Sequence, residues 1–504
     1  MKAFAIWVVS ACSAVAGPVF EDRAGALPVQ HIYGGGWEHF VGGGVAVLDC
    51  NGDTLPDFYA AGGENTGRLF INRTSAPGAP LAFDLGTIQD FTGVTGAYPL
   101  DVDSDGALDL MLLRVGENLL LRGDGACGFT RADWGFHGRD RWSTAFSATW
   151  EADRDWPTLA IGNYVNRDDP DGPFEACDVN ELHRPRAAGY RAPILLEPGF
   201  CALSMLISDW MRIGVPELRI SNDRHYYVRG GYEEMWRLDP LTPRTEADGW
   251  DRVSLWGMGI ASGDISGDGL PDVMLTSMGD QLLQINEGGT LRSVPYAFGT
   301  YAQRPYQGDD GRPSTGWHAQ FGDVDNDGRI DLFIAKGNVD QMPSNAMADP
   351  NNLLMQQPDG TFAEAGGAAG IAGPQRSRGA GLADFDGDGR LDLVVVNRRA
   401  PLELWQNLTP GASHWLAVEP RQKGVNSRAV GAWVTVRAGE DAKWVQEVTI
   451  GGGHGSGQAG PMHFGLGDAQ EVQVQITWPD GTVDPWQMVQ SDQRIEILRN
   501  TPGQ

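Results

Sequence analysis

Positive charge is scarce in this sequence. Of 504 residues, 38 are Lys or Arg against 66 Asp or Glu, giving a formal net charge of -28. Such a surface repels phosphate backbones and anionic headgroups, which argues against nucleic-acid or peripheral membrane binding and favours divalent cations. Cysteine is also sparse, at five residues. Long apolar runs are missing after residue 16, so no transmembrane anchor is expected. Long helices are disfavoured by 69 glycines and 30 prolines; this composition favours many short strands joined by tight turns.

The one apolar run, Ala3 to Ala16 after Lys2, reads as a secretory signal peptide cleaved near Ala16 and places the mature chain in the periplasm or outside the cell. Val9-Ser10-Ala11-Cys12 offers a lipobox as the minor alternative, with Cys12 acylated. The remaining Cys50, Cys127, Cys177 and Cys201 are an even set in an oxidising compartment, which points to two disulfides. Local spacing joins Cys177 with Cys201 and leaves Cys50 with Cys127.

A nine-residue acidic segment recurs along the chain. Its clear copies begin at Asp101, Asp323 and Asp384; copies at Asp49 and Asp264 carry Asn51 and Ser266 at the third place. Two decayed copies, from Glu151 and Asp209, keep the phase. The seven starts lie 50 to 61 residues apart, each between a small-residue strand and an aliphatic one. Three to four short strands per repeat make a β-propeller blade, and closing the ring removes exposed sheet edges. The expected fold is all-β: a signal peptide over 1–16, a seven-bladed propeller over 17–409, and a small β-sandwich-like domain over 410–504. The stretch 166–199 reads as an insertion.

Carboxylates at alternate positions before a tight turn converge oxygens on one point, and calcium, with six to eight oxygen ligands in loose geometry, is the natural occupant. Residues one, three, five and nine supply side chains and residue seven a carbonyl. These sets are Asp49, Asn51, Asp53, Leu55 and Asp57; Asp101, Asp103, Asp105, Ala107 and Asp109; Asp264, Ser266, Asp268, Leu270 and Asp272. The last two are Asp323, Asp325, Asp327, Arg329 and Asp331, and Asp384, Asp386, Asp388, Arg390 and Asp392. About five structural Ca2+ ions are expected, with the two decayed copies metal-free. The twelfth-position glutamate and following helix of an EF-hand are missing.

These repeats resemble the FG-GAP/VCBS repeats of integrin-type propellers over about residues 40 to 407. From Trp415 to Ile497 the chain resembles the ASPIC/UnbV domain, through Asn426-Ser427-Arg428-Ala429-Val430-Gly431, Gly451-Gly452-Gly453, His463-Phe464-Gly465-Leu466-Gly467 and Trp478-Pro479-Asp480-Gly481. Together they are similar to the cartilage acidic protein family, in a bacterial size. The resemblance implies a secreted, calcium-stabilised binding or adhesion scaffold for an extracellular protein or glycan, and a monomer is expected. Residues ahead of the innermost strands, His39, Trp142, Trp256, Trp317, His318 and Arg378, with His225 from a polar loop, are the candidate ligand contacts over a central channel. The rival function is a calcium-stabilised propeller enzyme, a lyase, dehydratase or cyclase acting on a sugar or natural-product intermediate. No nucleophile elbow, HExxH, P-loop or dinucleotide fingerprint supports it, and no catalytic residue is assigned.

Overall fold

The computed structural model describes residues 17–499 except 153, 171, 174, 187–188, 224–229, 302–310, 412 and 440–441. The expected signal peptide, Cys12 and His225 lie outside the described residues.

The chain is all-β, built mostly of four-stranded antiparallel sheets. Each begins with a strand of small or aliphatic residues: Val45–Leu48, Val94–Leu100, Asp140–Thr149, Ala202–Ser208, Gly257–Gly263, Gly316–Gly322 and Ser377–Ala383. These first strands are almost wholly buried. Each contacts the next, and the seventh returns to the first. Close approach of so many backbones favours glycine and alanine, which accounts for the small-residue character read from the sequence. Second strands such as Asp331–Lys336 and Asp392–Asn397 are buried throughout and pack aliphatic side chains against neighbouring sheets. Phe20–Asp22 pairs antiparallel with Glu403–Asn407, Phe20 opposite Asn407, so this early segment completes the seventh sheet.

Two disulfides, Cys50–Cys127 and Cys177–Cys201, match the expected pairing. The first joins successive acidic repeats. The second closes the later part of the stretch 166–199, which is more than an insertion: Asn180–His183 and Ile194–Leu196 form the outer strands of the third sheet.

After Asn407, seven strands form two further sheets. His414–Arg421 pairs with Met462–Gly467 and Gln493–Leu498; Trp433–Ala438 pairs with Ala442–Glu447 and Glu471–Thr477, and the last also pairs with Gln487–Gln490. Leu416, Val418, Val434, Val436, Phe464, Ile476 and Trp478 fill the space between them. The strand Ala442–Glu447 ends just before the glycine-rich run. There the chain leaves the module.

Candidate functional site: the acidic loops and the strap between the inner strands

Each acidic loop is organised by its own carboxylates. The first aspartate accepts N–H donors from across the turn: Asp323 takes Asp327 N at 3.1 Å and Gly328 N at 2.7 Å, and Asp384 takes Asp388 N at 3.0 Å and Gly389 N at 2.9 Å. Asp101 repeats the pattern with Asp105 and Gly106. The sixth residue must adopt a left-handed backbone for these bonds to form, and glycine does so without strain in four loops. In the first loop Thr54 holds φ at 76° instead.

The ninth aspartate is a brace as well as a candidate ligand. Asp331 accepts Val324 N at 3.0 Å on one oxygen and Gln356 N, from the third strand, at 3.0 Å on the other. Asp57, Asp109, Asp272 and Asp392 make the corresponding pairs of bonds. The loop is thereby pinned to a strand 14 or 15 residues later in four copies.

In three loops the first, third and ninth carboxylates offer oxygens within 4.8 Å of one another: Asp101, Asp103 and Asp109; Asp323, Asp325 and Asp331; Asp384, Asp386 and Asp392. Asn51 and Ser266 hold the third place in the other two. Cys50, Asp57 and Cys127 also cluster, but both sulfurs are committed to a disulfide. Burial, reinforced by neighbouring carboxylates, raises these groups above the usual carboxylate range. Asp109 is pushed up to about 8, Asp57 and Asp384 to about 7, and Asp264, Asp272, Asp327 and Asp388 to about 6. Buried oxygens of Asp264 and Asp325 have no hydrogen-bond partner. Crowded hard oxygens with unused lone pairs fit a calcium ion, which takes more ligands at looser geometry than magnesium accepts.

The decayed copies lose acidic residues at several of the ligand positions. Asp209 still accepts Ile213 N and Gly214 N at 3.0 and 2.7 Å, while Glu217 at the ninth place binds Trp210 Nε1 and Arg244 Nε. In the third copy Arg184 grips Glu151 with two bonds of 2.7 and 2.8 Å.

The glycine-rich segment Ile450–Gln458 runs between the inner strands and touches all seven. Ser147 Oγ donates to Ile450 O at 2.5 Å, Gly452 N to Met205 O at 2.7 Å, and Gly453 N to Ile260 O at 2.6 Å. His454 N donates to His318 Nδ1 at 3.1 Å, Ala97 N to Gly455 O at 2.9 Å, and Val45 N to Ser456 Oγ at 3.0 Å. Gly379 of the seventh strand lies so close that a Cβ there would stand 2.4 Å from Ser456 Oγ. A Cβ on Gly44 would meet Gly455 O at 1.7 Å. The strap therefore needs glycine on both sides of the contact.

The ligand candidates gather near the tip of this strap. His454 is fully buried; its Nδ1 donates to Met258 O at 3.1 Å and its Nε2 accepts Gly42 N at 3.0 Å, an arrangement that fixes the neutral tautomer. Trp317 lies 5.0 Å from it, with Arg378 4.0 Å over the indole. Arg378 is buried and spends its donors on the carbonyls of Phe40, Ser377, Asn338 and Val339. Trp142 is buried against Trp37, Phe40 and Tyr164, and His39 against Tyr33; Trp256 is half-buried beside the same apolar cluster. These residues make a packed lining rather than an open cavity.

Sequence reasoning missed the docking of the carboxy-terminal module on the acidic-loop face. Ser427 Oγ donates to Asp101, Asn426 N to Ser104 Oγ at 3.0 Å, and Ser208 Oγ and Asp209 N to Glu447. Trp415 covers Gly389, where a Cβ would lie 2.0 Å from the indole. A chamber of about 790 Å³ remains between module and loops, lined among others by Asp49, Asp101, Asp323, Asp384, Trp150 and Trp444. The sequence signals of this docking were the glycine run at 451–455 and the motifs at 426–428 and 463–467.

Residues 422–503 match the family described as ASPIC and UnbV, and residues 264–334 and 323–395 match the FG-GAP-like repeat. The chain is distantly homologous to cartilage acidic protein 1: 27% identical to the Xenopus tropicalis protein over 241 residues, 47% of this chain and 35% of that one. The Mus musculus protein is 26% identical over 231 residues, 45% of this chain and 34% of that one. The match thus spans about a third of the curated relatives' length. Among solved structures, BBS1N in complex with ARL6DN overlaps at TM-score 0.44 and 10% identity, covering 76% of this chain and 95% of that one. The BP39L lectin from Burkholderia pseudomallei overlaps at 0.42 and 10%, covering 72% and 96%, and the Dos1 propeller at 0.36 and 9%, covering 77% and 94%.

Proposed function

We propose that this protein is an exported, calcium-loaded seven-bladed β-propeller, sealed by its carboxy-terminal module, that serves as a binding or adhesion scaffold for a protein or glycan partner. One observation carries the reading: a segment of the chain's own, Ile450–Gln458, bonds or packs against all seven inner strands. It occupies the axis where a small-molecule substrate of a propeller enzyme would sit, and it leaves the outer surfaces to do the binding. Two disulfides fit an oxidising compartment. The calcium ions, when bound, supply charge neutralisation; the carboxylates of the first, third, fifth and ninth positions would hold them.

The test is capture of extracellular-matrix proteins and glycans on immobilised protein, with calcium and after chelation, beside an activity screen on sugars. Saturable, calcium-dependent capture that persists in His39→Ala supports the scaffold. Turnover of a sugar that His39→Ala abolishes with the fold intact would replace it with the enzyme.

A further inference from the structure

In all five acidic loops the backbone carbonyl of the sixth residue accepts a side-chain N–H. Thr54 O takes Arg494 Nη1 at 2.7 Å, Gly106 O takes Arg428 Nη2 at 3.1 Å, and Gly269 O takes Arg212 Nη1 at 2.9 Å. Gly328 O takes Trp444 Nε1 at 2.8 Å, and Gly389 O takes His463 Nε2 at 2.9 Å. Four of the donors belong to the carboxy-terminal module. The fifth, Arg212, stacks its guanidinium 4.6 Å over Trp433 of that module.

The other end of the same peptide is held by the loop. The N–H of the seventh residue donates to the fifth-position aspartate every time: Leu55 to Asp53 at 3.0 Å, Ala107 to Asp105 at 2.9 Å, and Leu270 to Asp268 at 2.8 Å. Arg329 to Asp327 and Arg390 to Asp388 follow at 2.9 Å. An amide bonded to a carboxylate through its N–H and to an outside donor through its oxygen is one polarised chain, in which fixing either end strengthens the other. Whatever fixes the fifth carboxylate also orients the carbonyl that the module contacts.

We infer that Arg428, Arg494, Trp444, His463 and Arg212 are positioning residues for the cation loops, so that calcium occupancy and docking of the carboxy-terminal module are a single coupled equilibrium. The inference rests on calcium as the occupant of the loops. Coupling of this kind is reciprocal: ions that favour docking are themselves bound more tightly in the docked state. It also gives the module's sequence signature a physical task, since Asn426-Ser427-Arg428 meets the second loop and His463-Phe464-Gly465 meets the sixth and seventh. A Cβ on Gly465 would stand 1.9 Å from Asp323 Oδ2.

Two measurements on the full-length chain test this. Calcium titration in competition with a chelator compares the wild type with Trp444→Phe, which keeps the ring and loses the N–H, and with Arg428→Met. Loss of about one net hydrogen bond corresponds to about a three- to tenfold weaker class of sites in each variant. Hydrogen exchange of the wild type then follows the amides of Gly452, Gly453 and Gly467, which are expected to lose protection when calcium is removed while the second-strand amides keep theirs. Unchanged affinity in both variants, or strap exchange indifferent to calcium, overturns the coupling while leaving the loops as calcium sites. Failure of the wild type to bind calcium overturns the reading beneath it.

Discussion

Single residues decide how the acidic loops hold their shape. Because the ninth aspartate bonds two backbone N–H groups with its two oxygens, Asp331→Asn turns an amide N–H toward one of those donors. The expected loss is about 2 to 4 kcal/mol, seen as a lower midpoint in urea unfolding. Thr54 is the opposite case, a β-branched residue in a left-handed conformation that its four counterparts meet with glycine. Thr54→Gly is expected to gain about 1 kcal/mol in the same measurement. Both the carboxylate pattern and this exception could be read from spacing alone, because the acidic side chains and the sixth residue of each loop sit at fixed offsets. The second role of the ninth residue could not, since its partners lie in a strand whose register the sequence does not state. The buried histidines carry a pH dependence of definite sign. Burial lowers His318 to about 4 and His454 to about 3, against 6.5 in the unfolded chain. Between about pH 6.5 and 4 the unfolded state therefore binds protons that the folded state refuses, so these groups lose stability as pH falls through that window, at up to about 1.4 kcal/mol per pH unit each. The raised carboxylates act in the opposite sense in calcium-free protein. The comparison that isolates the imidazole is thus the slope of unfolding free energy against pH in calcium, which His318→Gln is expected to flatten by up to about one proton.

At the scale of elements, the strap and the disulfide loop are where composition and structure part company. The run Gly451-Gly452-Gly453-His454-Gly455 looks like a flexible linker in sequence, yet it is buried among the inner strands. Glycine is required there by proximity rather than mobility: at Gly453, φ is 56° and a Cβ would lie 2.4 Å from His318 Cε1. Gly453→Val is expected to displace the strap and cost more than about 2 kcal/mol, with new protease cleavage between 448 and 460 as the readout. The strands of the repeats were legible because a buried aliphatic strand follows each acidic loop at the same offset. The third sheet was less so: its two outer strands lie in a stretch rich in Asp, Pro and Gly, where a turn-forming composition hides short strands held by tertiary pairing. The Cys177–Cys201 crosslink closes 24 residues of that stretch. Replacing both cysteines with alanine is expected to cost about 3 kcal/mol by restoring chain entropy to the unfolded state. Far-ultraviolet circular dichroism during thermal unfolding would register it.

Across the whole molecule, the all-β class and both disulfides followed from periodicity and cysteine spacing, because they depend on local pattern. The relation of the two parts did not, because periodicity does not state which side chains of the module reach which loop carbonyls and glycines. The structure makes the carboxy-terminal module a cap on the acidic face with one segment driven between the inner strands. It also joins the fate of the loops to that of the whole fold. The central claim is that the acidic loops bind calcium and that the ions hold the molecule together. Its most direct test is calcium stoichiometry by elemental analysis of the purified protein, paired with the melting temperature before and after chelation. The account predicts about five ions per chain and a fall of at least about 10 °C when they are removed. Calcium-free protein as isolated, with a melting temperature unmoved by added calcium, would contradict it.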